Sequence, residues 1–289
     1  MGKPFIKWAG GKTSLLNDIS NHLPISLKNK PNITYIEPFI GGGAVLFYLL
    51  EKYPHITRAI INDINQNLIF AYRVIKEQPI ELINLLSIIE KEYLERDEND
   101  RKEYYLLKRE EYNKNDKSEI EIAALFIFLN KTCFNGLYRV NSKGKFNVPH
   151  GRYSRPKICD RETILEDSKL LQNVEILCGD FQETIKYVDN NTLVYLDPPY
   201  KEIKKNISFV SYDKNKFNDE EQIRLKKFVD DISKKGGQFL LSNSDIPNDN
   251  FFDELYKEYN IERVNAPRFI NSDKNGRGKI SELLISNIK

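Results

Sequence analysis

The sequence predicts an α/β fold, a largely parallel sheet interrupted by a mainly helical insertion, and three observations carry that reading. Short runs rich in Ile, Val and Leu alternate with turn signals and helical patterns, as in sheets whose strands are joined by crossover helices. The first such run leads into a glycine-rich turn that opens a helix. Between Asn65 and Arg161 no comparable run occurs, which places an insertion inside the sheet.

Taken in order, the first strand spans Tyr35 to Phe39 and continues through Glu37-Pro38-Phe39-Ile40-Gly41-Gly42-Gly43 into a helix over Ala44 to Leu50. A second strand covers Ala59 to Asn62. Asn65 to Cys133 carries Leu, Ile and Tyr at helical spacing with dense charge, and Phe134 to Arg161, rich in Asn, Gly, Pro and basic residues, reads as loop or hairpin. Strands follow at Val174 to Leu177, Leu193 to Leu196, Gln238 to Ser242 and, terminally, Leu283 to Asn287. Residues 1–64 and 162–289 therefore form one discontinuous domain, and residues 65–161 the insertion.

Composition narrows the class. Lys plus Arg at 44 against Asp plus Glu at 42 leave a net charge of +2, so overall charge selects no partner. Its distribution does: Lys131 to Arg161 holds eight basic residues and one acid, whereas Glu90 to Glu121 holds twelve acids and eight bases. A local basic block is what a polyanion-binding surface requires, because cations near phosphates release condensed counterions; a solvated basic loop is the alternative. Cys133, Cys159 and Cys178 are odd in number and form no CxxC pair, which fits a reducing cytoplasm. No apolar run approaches a membrane span, and His22, His55 and His150 lack metal-ligand spacing.

The glycine turn departs from the dinucleotide fingerprint, since Leu46 stands where a third glycine would be. Asp63, at the end of the second strand, can accept hydrogen bonds from ribose hydroxyls; capping a helix that starts at Ile64 is the plainer role. Gly11-Lys12-Thr13 ends like a triphosphate loop, yet Ile6 replaces its first glycine and no strand precedes it, which argues against an ATPase. Trp8 can instead form a ligand wall beside a carboxylate-binding Lys12, with core packing as the alternative for the indole.

The sharpest signal is Leu193-Val194-Tyr195-Leu196-Asp197-Pro198-Pro199-Tyr200. Two prolines fix the backbone and remove two N–H donors, so the turn offers carbonyls and the Asp197 carboxylate as preorganised acceptors. Acceptors suit an exocyclic amine such as adenine N6, whose lone pair is delocalised into the ring. Tyr200 can stack on a base that has left the duplex. Strand termination alone is the bland alternative.

Phe5 to Lys12, Glu37 to Gly43, Asp63, Asn135-Gly136-Leu137-Tyr138-Arg139, Phe146-Asn147-Val148-Pro149, Asp197 to Tyr200 and Asn271 to Ile285 together resemble the Dam-type family of DNA adenine-N6 methyltransferases. The resemblance covers nearly the whole chain. It implies a Rossmann-like methyltransferase sheet with an inserted, mainly helical DNA-recognition domain, and S-adenosyl-L-methionine as cofactor. Trp8, Ala9, Gly10, Lys12, Pro38, Phe39, Gly41, Gly43, Asp63, Asp180, Phe181 and Asp197 would contact the cofactor or the transfer centre. Asp197, Pro198, Pro199 and Tyr200 would form the catalytic turn.

The implied partner is double-stranded DNA, held by Asn135, Leu137, Arg139, Asn141, Lys143, Lys145, Asn147, Pro149 and Arg152. The basic block found from charge coincides with this segment. Arg139 suits bidentate contact with guanine O6 and N7, and Lys143, Lys145, Arg152 and Arg155 suit phosphates. The family pattern at Leu137, Arg139 and Pro149 points to GATC, with a longer site beginning in GA left open. A restriction endonuclease acting separately on the same site is a possible companion. Cytosine-N4 methylation and a catalytically inert nucleic-acid binder of the same fold stay as alternatives.

Overall fold

A computed structural model describes residues 2–24, 27, 30–200, 217–246, 249–267 and 279–288. Along them run α1 (Leu16–Asn21), β1 (Ile33–Glu37), α2 (Ala44–Lys52), β2 (Ile56–Asp63), α3 (Gln66–Glu77), α4 (Pro79–Leu94), α5 (Glu98–Lys114) and α6 (Glu119–Thr132). There follow α7 (Arg161–Leu171), β3 (Val174–Cys178), β4 (Thr192–Leu196), α8 (Asp219–Lys234), β5 (Gln238–Ser244), α9 (Phe251–Leu255), β6 (Asn260–Pro267) and β7 (Lys279–Ser286).

The strands form one sheet in the order β3-β2-β1-β4-β5-β7-β6. β1 lies parallel to β2 and β4, and β4 parallel to β5, while β7 runs antiparallel to β5 and β6. The carboxyl ends of β2, β1, β4 and β5 therefore share one edge, the place where open α/β sheets present ligand-binding loops. All five residues of β4 are buried, which is why its sequence reads as an unbroken apolar run. The predicted α/β class is the one found.

One strand was absent from the sequence reading. β6 breaks its apolar residues Ile261 and Val264 with Asn260, Glu262, Arg263 and Asn265, and none of Asn260 to Asn265 is buried. It sits at the sheet edge, where no opposing layer imposes apolar alternation.

The chain divides into two compact units: Met1–Lys12, Ile40–Lys52 and Asn62–Gly179 in the first, and Thr13–Phe39, Tyr53–Ile61 and Asp180–Lys289 in the second. The first is organised around α6. Ile122 through Asn130 are all buried, so this helix is apolar on every side and packs against α3, α4 and α5. A capping box between Ser118 and Glu121 starts it. The segment after it folds as a short hairpin, with bridges Val140 to Phe146 and Cys133 to His150. Asn113 on α5 grips Phe146 through both backbone groups, at 2.8 and 3.0 Å, and Tyr105 donates to the Val148 carbonyl at 2.8 Å. Among the described residues no helix is long and apolar enough to cross a membrane.

Asp167 on α7 is fully buried; its Oδ1 accepts from the Lys3 N–H at 3.2 Å and its Oδ2 has no hydrogen-bond partner among the described residues. Burial pushes this carboxyl up to about 8, against the opposing Lys3 N–H. From about pH 4 to pH 8 the folded chain holds a proton that the unfolded chain has released, so stability is lost as pH rises through that window. Asp167→Asn keeps the acceptor and carries no titrating proton. Its stability advantage over the parent should grow by on the order of 3 kcal/mol from about pH 5 to about pH 8 in urea unfolding, whereas parallel profiles would contradict the assignment.

Candidate active site

Gly41 is the hub of a cluster in the first unit. Its N–H donates to Asp63 Oδ2 at 3.1 Å and its carbonyl accepts from the Tyr72 hydroxyl at 3.0 Å. Its φ is +47°, and a Cβ placed there would stand 2.7 Å from Trp8 Cδ1. At Gly43, φ +74°, a Cβ would clash with the Tyr72 hydroxyl. The turn is thus glycine because the indole and the phenol occupy the space, not simply because a ligand must approach the backbone.

Asp63 also accepts from the Asn65 N–H at 2.9 Å. The cap of α3 is Asn65, which accepts from Leu68, so Asp63 is not the capping residue. Burial raises its carboxyl, and the N–H groups of Asn65, Gly41 and Ile64 pull it back. Ile64 beside it is 81% exposed, an apolar surface that the sequence reading did not weigh as part of the site. Lys12 is buried, with Nζ donating to the Gly10 carbonyl at 2.8 Å, while Ala9 and Gly10 are exposed.

Trp8 stacks on Tyr138 at 5.4 Å between ring centroids, 25° from parallel. Buried Asn130 ties the same two segments together: Oδ1 accepts from the Lys7 N–H at 2.9 Å, and Nδ2 donates to the carbonyls of Lys7 at 2.8 Å and Gly136 at 3.0 Å. Trp8, Gly41, Gly43, Asp63 and the hairpin base are therefore brought together in one unit.

On the hairpin, Arg139 donates through Nε to Asn147 Oδ1 at 2.8 Å and through Nη2 to the Asn147 carbonyl at 3.3 Å. Asn141 Oδ1 accepts from the N–H groups of Lys143 and Lys145, so this side chain shapes the tip. Asn135, Arg139, Lys143, Lys145, Pro149 and Arg152 are exposed, and Leu137 and Asn147 half-buried. Phe134, missed from sequence, is 51% exposed at the hairpin's start.

In the second unit, β4 ends in Asp197-Pro198-Pro199-Tyr200. Ser242 on β5 donates to Asp197 Oδ1 at 3.2 Å and lies 3.1 Å from the Tyr195 hydroxyl. Pro198 is buried; Pro199 and Tyr200 are exposed. Gln222 reaches toward the Pro199 carbonyl at 3.5 Å and is itself held by Asn243 at 3.2 Å. The Tyr200 hydroxyl donates to Glu282 Oε1 at 2.7 Å. At the end of β1, buried Glu37 accepts from Tyr35 at 2.6 Å, and Pro38 follows.

The same unit holds an aromatic cluster. Phe39 lies 5.2 Å from Phe181 and 5.8 Å from Phe217, and the Arg224 guanidinium covers Phe181 at 4.5 Å. Asp180 caps the turn of helix over Phe181–Tyr187 through Gln182 and pairs with Arg224. Ser242, Gln222, Asn243, Arg224 and Glu282 were not singled out in the sequence. The available signal was the polar run Ser242-Asn243-Ser244 ending an apolar strand.

A family model described as D12 class N6 adenine-specific DNA methyltransferase (MethyltransfD12) matches residues 8–270. The chain is 53% identical over 289 residues to the type II methyltransferase M.MjaIII of Methanocaldococcus jannaschii, covering 99% of both chains. It is 40% identical over 290 residues to the type II methyltransferase M1.LlaDCHI of Lactococcus lactis subsp. cremoris, covering 99% of this chain and 95% of that one. The DNA adenine methylase of Escherichia coli (strain K12) is 33% identical over 282 residues, covering 98% and 94%.

Gly41→Ala must displace Trp8, whereas Gly144→Ala, at a similar positive φ of +72°, meets nothing within 4 Å. The first is expected to cost about 2 kcal/mol more than the second. It should also shift the emission of Trp8, the chain's single tryptophan. Equal melting and unshifted emission would show that the indole does not depend on this glycine.

Proposed function

The chain belongs to the D12 class N6 adenine-specific DNA methyltransferase family, and from that premise we propose that it methylates adenine N6 in duplex DNA within GATC, using S-adenosyl-L-methionine and a flipped target base. The observation that carries the reading is the Asp197 turn. It ends a buried strand with an exposed aromatic ring, two prolines and a carboxylate that accepts a hydrogen bond from Ser242.

The residues present fit the cofactor by their chemistry. In the first unit they are a carboxylate with lone pairs available to hydroxyls at Asp63, an exposed apolar surface at Ile64, the Trp8 indole and the Lys12 amine. Ala9, Gly10, Gly41 and Gly43 supply backbone beside them. In the second unit they are Pro38, Phe39, Asp180 and Phe181, whose rings and carboxylate suit an adenine. When bound, S-adenosylmethionine supplies an electrophilic sulfonium methyl.

The protein's own part is positioning and acceptor electrostatics. Asp197 and a carbonyl of the proline pair accept the two hydrogens of the exocyclic amine. That favours a pyramidal nitrogen and disperses the charge that develops on it. Tyr200 stacks on the extruded base. Phe134 offers an apolar ring to the gap left in the duplex.

Residues 65–161 serve as the DNA-recognition insertion, and 1–64 with 162–289 as the catalytic part. Arg139, steadied by Asn147, reads guanine; Leu137 and Pro149 line the site. Asn135, Asn141, Lys143, Lys145 and Arg152 engage the backbone. On this reading a restriction endonuclease acts separately on the same site, and the work is done in the cytoplasm.

Incubation with labelled S-adenosylmethionine and duplexes carrying or lacking GATC tests this. Labelled N6-methyladenine confined to the GATC duplex is expected, and Asp197→Ala should lower turnover at least a hundredfold while cofactor still binds. Methyladenine in another sequence overturns the recognition claim alone. N4-methylcytosine, or DNA binding without transfer, overturns the chemistry.

A further inference from the structure

Strand register brings one residue of β7 to the turn at the end of β4, although the two are far apart in the chain. β4 pairs Tyr195 with Leu240 and Leu196 with Leu241, and β5 pairs Ser242 with Leu284 and Ser244 with Glu282. Side chains alternate across a sheet, so Tyr195, Ser242, Ser244 and Glu282 share a face. On that face Ser242 holds Asp197, and Glu282 Oε1 receives the Tyr200 hydroxyl at 2.7 Å.

The two partners differ in a way that suggests their roles. Tyr200 is 37% exposed at the open end of the turn, and Glu282 is only 9% exposed on a strand paired on both sides. A phenol anchored at its backbone alone can rotate between rotamers. One also tied at its para oxygen to a carboxylate built into the sheet is held at both ends. A carboxylate gives that tie the strength of a charge-assisted bond.

We propose that Glu282 is a positioning residue that fixes the plane of the Tyr200 ring for stacking on the target base. The proposal rests on the reading of Asp197 to Tyr200 as the turn that receives the flipped adenine. Glu282 touches neither reacting atom in this scheme and acts through the phenol.

The test compares full-length Tyr200→Phe, Glu282→Leu, Glu282→Gln, the Tyr200→Phe/Glu282→Leu pair and Tyr200→Ala. Two quantities are read: turnover on a methylatable duplex, and the emission of 2-aminopurine placed at the target position of a bound duplex. Tyr200→Phe and Glu282→Leu should each lower turnover about tenfold, with the pair no lower than either alone. Glu282→Gln, which keeps an acceptor oxygen, should fall between. Loss of ordered stacking should raise 2-aminopurine emission in both single variants while DNA affinity stays unchanged, a response that a purely structural role would not give.

Effects that multiply in the pair, or parent turnover and emission in Glu282→Leu, overturn the role. If Glu282→Leu melts below the assay temperature, Tyr200→Phe decides: it alters an exposed side chain, and parent behaviour there overturns the proposal. Loss of transfer in Tyr200→Ala beside unchanged Glu282→Leu removes the positioning role alone. Unchanged turnover in Tyr200→Ala removes the reading of the turn and the positioning role together.

Discussion

The glycine turn of the first unit closes on Gly41. Its amide is on Asp63, its carbonyl on Tyr72 and its α-carbon under the Trp8 indole, so no side chain can stand there. The indole in turn lies on Tyr138, next to Arg139, and Asn130 bonds the backbone on both sides of that contact. Each buried hydrogen bond contributes about 1 kcal/mol and the stacked pair a similar amount. The glycine turn and the hairpin over residues 134–150 are parts of one packed object rather than neighbouring modules.

The second unit solves a different problem, how to hold acceptors still at a strand end. Two prolines stiffen the backbone, Ser242 bonds the carboxylate and Glu282 the phenol. Gln222 and Asn243, both fully buried, stand behind the second proline. Acceptors that are already oriented need not reorganise when charge develops on a bound group, and preorganisation of this kind is usually the largest single term in catalysis.

Much of this was legible in the sequence, for identifiable reasons. β1, β2, β4 and β5 stand out because buried parallel strands are continuous apolar runs, and the Asp-Pro-Pro-Tyr turn because its chemistry is local. The hairpin announced itself through charge. β6 did not, because an edge strand carries no apolar alternation. Asn130, Ser242 and Glu282 were invisible for another reason: each acts on residues reached only through register or helix packing. The glycine turn was found, but the sequence cannot show that Trp8 fills the space above Gly41. Asp63 was likewise read with a capping alternative that Asn65 in fact fulfils.

The central claim is that the Gly41 seat, with Trp8 and Asp63 around it, is where the cofactor binds. Because Trp8 is the only tryptophan, its emission during titration with S-adenosylmethionine reports on that seat directly. A saturable change with the affinity measured independently by equilibrium dialysis, abolished in Asp63→Ala, is the predicted result. Cofactor binding by dialysis that leaves the emission of Trp8 untouched would contradict the account.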